Sequence, residues 1–304
     1  RHEVKNINPY LVDAPNIVIT SRRQPLCEIP EIGICNKPID GGYYIFTDEE
    51  KREFLKIEPE AKNLFREYLG AREFLNGDRR WILWLGETSP SVLKSLPNVL
   101  DRINKVKKYR HASKSKLTNE LAQKPTRFHV ENIPTYTYVV IPETSSERRY
   151  YIPIGFVGKN VVTSNSMKIV PNATLYHFGV LESMMHMAWM RAVCGRFESR
   201  YRYSKDIVYN NFPWPDNPSS EKVEKIEKAA GDILTIRAKY HDSTLADLYD
   251  PLTMPADLLK AHQKLDKAVD NCYNARMKFA TEADRLEYLF EKYEELVQKH
   301  NKNI

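Results

Sequence analysis

Cysteine is scarce in this 304-residue sequence, glycine is thin, and no long apolar run occurs. The four cysteines, Cys27, Cys35, Cys194 and Cys272, include no pair two or four residues apart, and no histidine pair completes a zinc pattern, which excludes a zinc ribbon or finger. Cys27 and Cys35 could close a small loop, but buried free thiols in a reducing cytoplasm are the expectation. The 11 glycines never form a Gly-x-Gly, so the turn that seats a dinucleotide is missing. No apolar stretch approaches the length of a membrane span. The chain opens Arg1-His2-Glu3, without Met or an apolar signal region. That opening suggests a piece of a longer protein, with any catalytic motifs upstream.

What the sequence does have is segregated charge. The net charge is +6. Residues 101–205 hold 18 Lys/Arg against 7 Asp/Glu, a net of +11. Residues 1–100 come to −1, and residues 213–304 come to −3. A basic island between nearly neutral flanks is the footprint of a polyanion binder, because charge placed only for solubility does not segregate in this way. The 42% hydrophobic content is enough for a core.

Periodicity predicts an α+β chain: a mixed α/β domain over 1–212, then a helical bundle over 213–304. Ile17 to Ile19 reads as a strand, Gly41-Gly42 as a turn, and Tyr43 to Phe46 as a strand. Thr47-Asp48-Glu49-Glu50 has capping-box spacing and should start a helix. A second helix is expected from Ala61 to Leu69, stopped by Gly70, followed by a strand from Trp81 to Leu85. Val99, Ile103, Val106 and Arg110 share one face of a helix over 98–111. Strands are expected over 136–141 and 150–156 and near Val161 and Met167. A buried helix should run from Leu181 to Phe197. The Phe212-Pro213-Trp214-Pro215 break opens the helical part, with Ser219 or Ser220 capping a helix to Tyr240 and Pro255 opening another.

Several motifs are candidates for chemistry. Asn8-Pro9-Tyr10 invites comparison with a base-holding Asn-Pro-Pro-Tyr loop, but one proline is missing and the reading favours a structural turn. Pro215-Asp216 lacks the Glu-x-Lys of a metal-dependent nuclease, so no metal site is expected. His177 and His186 lie beside apolar residues and read as core histidines. They remain the candidates if the chain is an autonomous enzyme.

The informative residues are Lys105, Lys107, Lys108, Arg110, His111, Ser113, Lys114 and Lys116, types that grip phosphates and fix register. Arg148 and Arg149, between two strands, suit guanine edges. Lys159, Asn160, Ser164, Asn165 and Lys168 offer the donors and acceptors of base-edge readout. Arg200 and Arg202 close the island, with Tyr201 and Tyr203 interleaved. The bland alternative is a helical protein-interaction scaffold with an incidental basic face.

Taken together, several stretches resemble the C-terminal third of MmeI-like, single-chain restriction–modification enzymes. They are Ile7 to Leu11, Lys37 to Gly42, Ser145 to Arg149 with Tyr151 to Phe156, Phe178 to Leu181 with His186 to Arg191, Tyr209 to Pro215, and Leu245 to Pro251, in the same order and across almost the whole chain. The resemblance implies a target recognition domain and a C-terminal helical region, with double-stranded DNA as partner. It implies a parent that methylates one adenine with S-adenosylmethionine, and uses magnesium where a nuclease is present. The upstream methyltransferase domain of the same polypeptide would be the second partner. No catalytic residue and no cofactor carries over to this chain, and no membrane association is expected.

Overall fold

The computed structural model describes residues 6–302, so the opening Arg1-His2-Glu3 lies outside the described residues. Packing divides the chain into two compact units. The first comprises Arg1–Gly33, Tyr138–Phe156 and Lys168–Ile304, and the second comprises Ile34–Thr137 and Val157–Met167. Packing thus groups the first 33 residues with the C-terminal helices, a division different from a cut of the sequence at residue 212.

The second unit is built on a four-stranded sheet ordered Ile45–Thr47, Arg80–Leu83, Phe65–Leu69, Val161–Thr163. The first two pairings are antiparallel, with Phe46 opposite Trp81 and Arg66 opposite Ile82, and the last is parallel, with Tyr68 opposite Val162. Its core gathers Tyr44, Phe46, Phe65, Ile82, Val99 and Val106. Phe46, Phe54 and Phe65 meet edge to face with centroids 5.0–5.7 Å apart, a favoured aromatic arrangement. The Asp48–Ile57 helix starts as expected: Thr47 Oγ accepts from the Glu50 amide, and the Glu50 carboxylate accepts from the Thr47 amide at 2.7 Å. The helix expected over Ala61 to Leu69 is not formed. A 3-10 turn, Pro59–Leu64, gives way to the strand Phe65–Leu69. Gly70 is extended and therefore caps nothing from the left-handed region.

The first unit holds a four-stranded sheet whose central strands are Met167–Val170 and Tyr138–Pro142. It also holds an antiparallel three-stranded sheet of Gly195–Phe197, Arg200–Arg202 and Thr144–Ser145. No strand forms over Ile17 to Ile19, and the strand expected from Tyr150 is confined to Gly155–Val157. The single helix expected over Leu181 to Phe197 is two, Leu175–Leu181 and Met184–Val193, split where Ser183 caps the second. The C-terminal helices Ser220–Lys239, Ala256–Tyr273 and Glu282–Lys302 follow the expected pattern. Leu258, Leu265, Val269 and Cys272 are buried along one face of the middle one. Gly179 lets the Leu175–Leu181 helix approach Ser220–Lys239 closely, since a Cβ there would lie 2.7 Å from Ile226 Cγ2.

A polar cluster is sealed in this helical core. Buried Arg237 donates to the Ile154 carbonyl at 2.6 Å, to Glu182 at 2.5 Å and to the Tyr249 hydroxyl. Tyr249 in turn contacts His262 Nε2 at 2.8 Å. Burial lifts Glu182 to about 7 against the pull of Arg237, and lifts Asp266 to about 6. No helix among the described residues is long and apolar enough to cross a membrane.

Candidate nucleic-acid interface

The basic residues singled out in the sequence fall into two sets. Lys105 to Lys116, Lys159, Asn160, Ser164 and Asn165 belong to the second unit, and Arg148, Arg149, Lys168, Arg200 and Arg202 to the first.

In the second unit the site is set by one helix, Pro97–His111. Val99, Ile103 and Val106 bury one side of it. Glu58, itself 4% exposed, caps its start, accepting from the Asn98 amide at 2.7 Å and the Val99 amide at 3.1 Å. Lys108, Arg110 and His111 occupy the last turn. Negative charge at the start and positive charge at the end both suit the helix dipole. Lys105, Lys107, Lys108 and His111 are exposed on the other side, and exposed Lys114 and Lys116 follow in the next turn. Two of the lysines are occupied: Lys105 pairs with Asp101 at 2.6 Å, and Lys116 approaches Glu120 at 4.0 Å. Lys107, Lys108 and Lys114 have no ion pair among the described residues. Ser113 Oγ accepts from the Ser115 amide at 3.2 Å, and Ser115 caps the short Lys116–Leu121 helix, so this turn is locally ordered.

Arg110 corrects the sequence reading. It is 0% exposed. Its guanidinium donates to the carbonyls of Pro38, Ile39, Leu121, Lys124, Pro125 and Arg127 at 2.8–3.3 Å. A buried cation needs a partner for each of its donors, and here backbone oxygens supply them, so none is left for a phosphate. Arg110 instead pins residues 38–39 and the 121–127 loop to the lysine-bearing helix.

Ser164 is a second correction. It is 5% exposed, its hydroxyl is shared with Ser166 at 2.8 Å, and its amide donates to the Leu69 carbonyl at 2.8 Å. Its hydroxyl and amide are thus engaged in shaping the turn. Asn165, next to it, is exposed, as are Lys159 and Asn160.

In the first unit Lys168 is also tied down. Its side chain is 13% exposed and pairs with Glu143 at 2.8 Å, while exposed Arg202 reaches the same carboxylate at 3.2 Å. Arg149 is half-buried, with a 3.4 Å bond to Ser145 Oγ, and burial lowers its affinity for a proton. Arg148 is exposed, without an ion pair among the described residues. Arg200 pairs with Glu198 at 2.7 Å.

Two residues that the sequence reading passed over stand out here. Phe197 is 54% exposed and Glu198 takes a left-handed φ of 57° at the tip of the Gly195–Phe197/Arg200–Arg202 hairpin. Arg196 stacks on Tyr201 at 4.0 Å and Arg200 lies over Phe197 at 5.2 Å. The alternation Arg196-Phe197-Glu198-Ser199-Arg200-Tyr201-Arg202 carried that signal, charge at every second residue with rings between, of which Phe197 is exposed and Tyr201 buried.

The motifs weighed as catalytic have structural tasks. The Asn8 side-chain oxygen accepts from the amides of Tyr10 and Val12 at 2.9 and 3.1 Å. Tyr10 accepts from the Ile19 amide and stacks on Phe290 with centroids 5.1 Å apart. That loop has no side-chain acceptor or ring free to hold a base. His186 is 2% exposed, bonded to the Tyr203 hydroxyl at 3.0 Å, and pushed down to about 3 by burial. His177 Nδ1 accepts from the Thr174 amide at 3.1 Å, closing a helix start.

Comparison with known proteins places this arrangement. The model of the MmeI target recognition domain matches residues 13–216, and that of the MmeI C-terminal domain matches 218–300. The chain therefore belongs to the MmeI family, as its target recognition and C-terminal domains. It is similar to the type IIL restriction–modification enzyme MmeI, solved in complex with DNA. That likeness has a TM-score of 0.93 and 47% identity, and covers 97% of this chain and 39% of that one. It is also 40% identical over 296 residues to DNA methyltransferase A of Bacillus subtilis (strain 168), covering 97% of this chain and 33% of the relative. The chain thus spans 33% of the length of one of these relatives and 39% of the other.

Proposed function

We propose that this chain is the sequence-reading module of an adenine-specific DNA methyltransferase of restriction–modification type, presenting double-stranded DNA to catalytic domains elsewhere in the same polypeptide. The observation that carries the reading is the run Lys107, Lys108 and Lys114. These lysines are exposed and unpaired among the described residues; Lys107 and Lys108 lie toward the end of the Pro97–His111 helix and Lys114 just beyond it, with Glu58 capping that helix's start and Arg110 anchoring its last turn. The comparison enzyme's complex with DNA supports DNA as the partner.

In this reading residues 1–212 recognise the target and 213–304 form the helical support. Lys105, Lys107, Lys108, His111, Ser113, Lys114 and Lys116 position the backbone. Arg148, Arg149, Lys159, Asn160, Asn165, Lys168, Arg200 and Arg202 supply further contacts, the paired ones after exchanging an acid partner for DNA. S-adenosylmethionine, and magnesium where the parent cleaves, act in the rest of the polypeptide. The Asn8 loop, spent on its own backbone, does not fit the task of holding the flipped base. The protein works in the cytoplasm, where the DNA is.

Binding of a fluorescent duplex to the full chain, followed against salt, tests this. Each lysine–phosphate contact contributes a slope of about 0.9 in log affinity against log salt. Replacing Lys107, Lys108 and Lys114 by Gln should lower the slope by about 2 to 3 and weaken binding to all duplexes. Unchanged affinity and slope in the triple variant would overturn the reading.

A further inference from the structure

A cavity of about 470 Å³ in the second unit is lined by Arg66, Trp84, Glu87, Glu131, Thr135, Lys159 and Asn160, among others. Its acids are already engaged. Glu87 pairs with Arg66 at 3.5 Å, and Glu131 pairs with Arg127 while accepting from the Phe128 amide at 2.8 Å. What remains is rich in donors. Lys159 is exposed, with no ion pair among the described residues, and Asn160 and Thr135 are exposed without side-chain hydrogen bonds among them. The Trp84 indole N–H is buried and has no acceptor there. Phe128, edge-on at 5.1 Å, and the Arg66 guanidinium, 5.1 Å over the ring, hold Trp84 in place. A buried donor left unpaired costs about 1–3 kcal/mol, a cost that an accepting group, a water or a ligand oxygen, would relieve.

We propose that this cavity is a subsite for one backbone phosphate of double-stranded DNA. It rests on the DNA-binding reading and adds Arg66, Trp84 and Thr135 to it. A base edge presents donors as well as acceptors, whereas a phosphodiester presents acceptors alone, matching a site whose acids are spent. Lys159 supplies the charge, and Asn160 and Thr135 direct hydrogen bonds to the oxygens. Arg66, still paired with Glu87, adds positive charge, and Trp84 offers its indole N–H from the floor.

The test uses the full chain with a cognate and a scrambled duplex, read by anisotropy over a salt series. Lys159→Gln should weaken both duplexes several-fold and lower the salt slope by about 0.9. Trp84→Phe should weaken both with the slope unchanged, because it removes a neutral donor. Scanning single methylphosphonates along the cognate duplex should reveal one linkage whose penalty vanishes in Lys159→Gln.

An unchanged slope and affinity in Lys159→Gln, with the Lys107/Lys108/Lys114 variant still impaired, overturns the subsite and leaves the DNA reading standing. A Lys159→Gln effect confined to the cognate duplex makes the residue a base reader and overturns the subsite too. Failure of the wild type to bind any duplex at low salt ends both proposals. Lys159 is exposed, so its variant decides the matter even where Trp84→Phe does not fold.

Discussion

The Tyr151 hydroxyl donates to Asp266 Oδ2 at 2.7 Å, and the other oxygen of the same carboxylate accepts from the Met184 amide at 2.7 Å. One buried aspartate on the Ala256–Tyr273 helix thus fastens residue 151 and the start of the Met184–Val193 helix at once. Tyr151 also stacks on His262, one turn before Asp266, with centroids 4.1 Å apart.

From this follows an asymmetry between two substitutions. Tyr151→Phe removes one donor and leaves a carboxylate that still holds the Met184 amide, at a cost of about 1–2 kcal/mol. Asp266→Ala strands both the tyrosine hydroxyl and the amide in a dry core and should cost about 3–5 kcal/mol. Urea unfolding of the two variants measures the difference, and equal costs would contradict the shared-carboxylate geometry.

Arg110 and Lys108 sit two residues apart on one helix and should respond in opposite ways. Arg110→Met leaves six carbonyls without their donor and should destabilise the chain by more than about 3 kcal/mol. Lys108→Gln changes an exposed side chain without an ion pair among the described residues and should stay within about 0.5 kcal/mol of wild type, while lowering DNA affinity in a salt-dependent way. Thermal unfolding beside anisotropy separates the two. A stable, DNA-deficient Arg110→Met protein would show that its guanidinium serves DNA after all.

The same helix shows what the sequence could reveal and where it misled. Val99, Ile103, Val106 and Arg110 fall on one face by spacing alone, and all four are buried. The periodicity therefore identified Arg110 as an inward residue even as its charge suggested a phosphate contact. Local signals were equally legible, as with the Thr47–Glu50 capping box and the break at Phe212 to Pro215. The segment Phe65–Leu69 was not, because its strand identity is decided by partners far along the chain. Val161–Thr163 pairs with it in parallel from about a hundred residues away, and no local propensity reports such a partner. The pairing of Lys168 and Arg202 through Glu143 was hidden for the same reason. The family resemblance reached further than periodicity because it follows the order of motifs along the whole chain.

Gly179 is a packing requirement that can be measured directly. A Cβ there would meet Ile226 Cγ2 at 2.7 Å, Leu265 Cδ1 at 3.2 Å and the Ala230 Cβ at 3.3 Å. Alanine has the better intrinsic helix propensity, by about 1 kcal/mol, yet overpacking a closed helix contact costs about 1–3 kcal/mol. Gly179→Ala should therefore be net destabilising. In an Ile226→Ala background, where the Cγ2 methyl that the new Cβ would meet is gone, Gly179→Ala should cost less than it does in the wild type. A Gly179→Ala protein more stable than wild type would mean that the helices separate without penalty.

His186 should make stability fall in acid. Burial pushes its imidazole down to about 3, whereas in the unfolded chain it titrates near about 6.5. As pH drops below that value the unfolded state takes up a proton and the folded state does not, so the equilibrium moves toward unfolding. Glu182 and Asp266 act in the opposite sense. Lifted by burial to about 7 and about 6, they keep their protons in the folded chain while the unfolded chain has lost them, so they favour folding more as pH falls from about 7 toward about 4. The two effects partly cancel in the wild type, which makes the difference between proteins the useful quantity. His186→Gln leaves both carboxyl groups in place, so they drop out of that difference. The wild type's stability relative to the variant should fall by about 1.4 kcal/mol per pH unit well below about 6.5. Urea unfolding at about pH 7.5, about 6 and about 5 measures it. A difference that stays constant across the series would show that the folded state admits a proton at His186 as readily as the unfolded one.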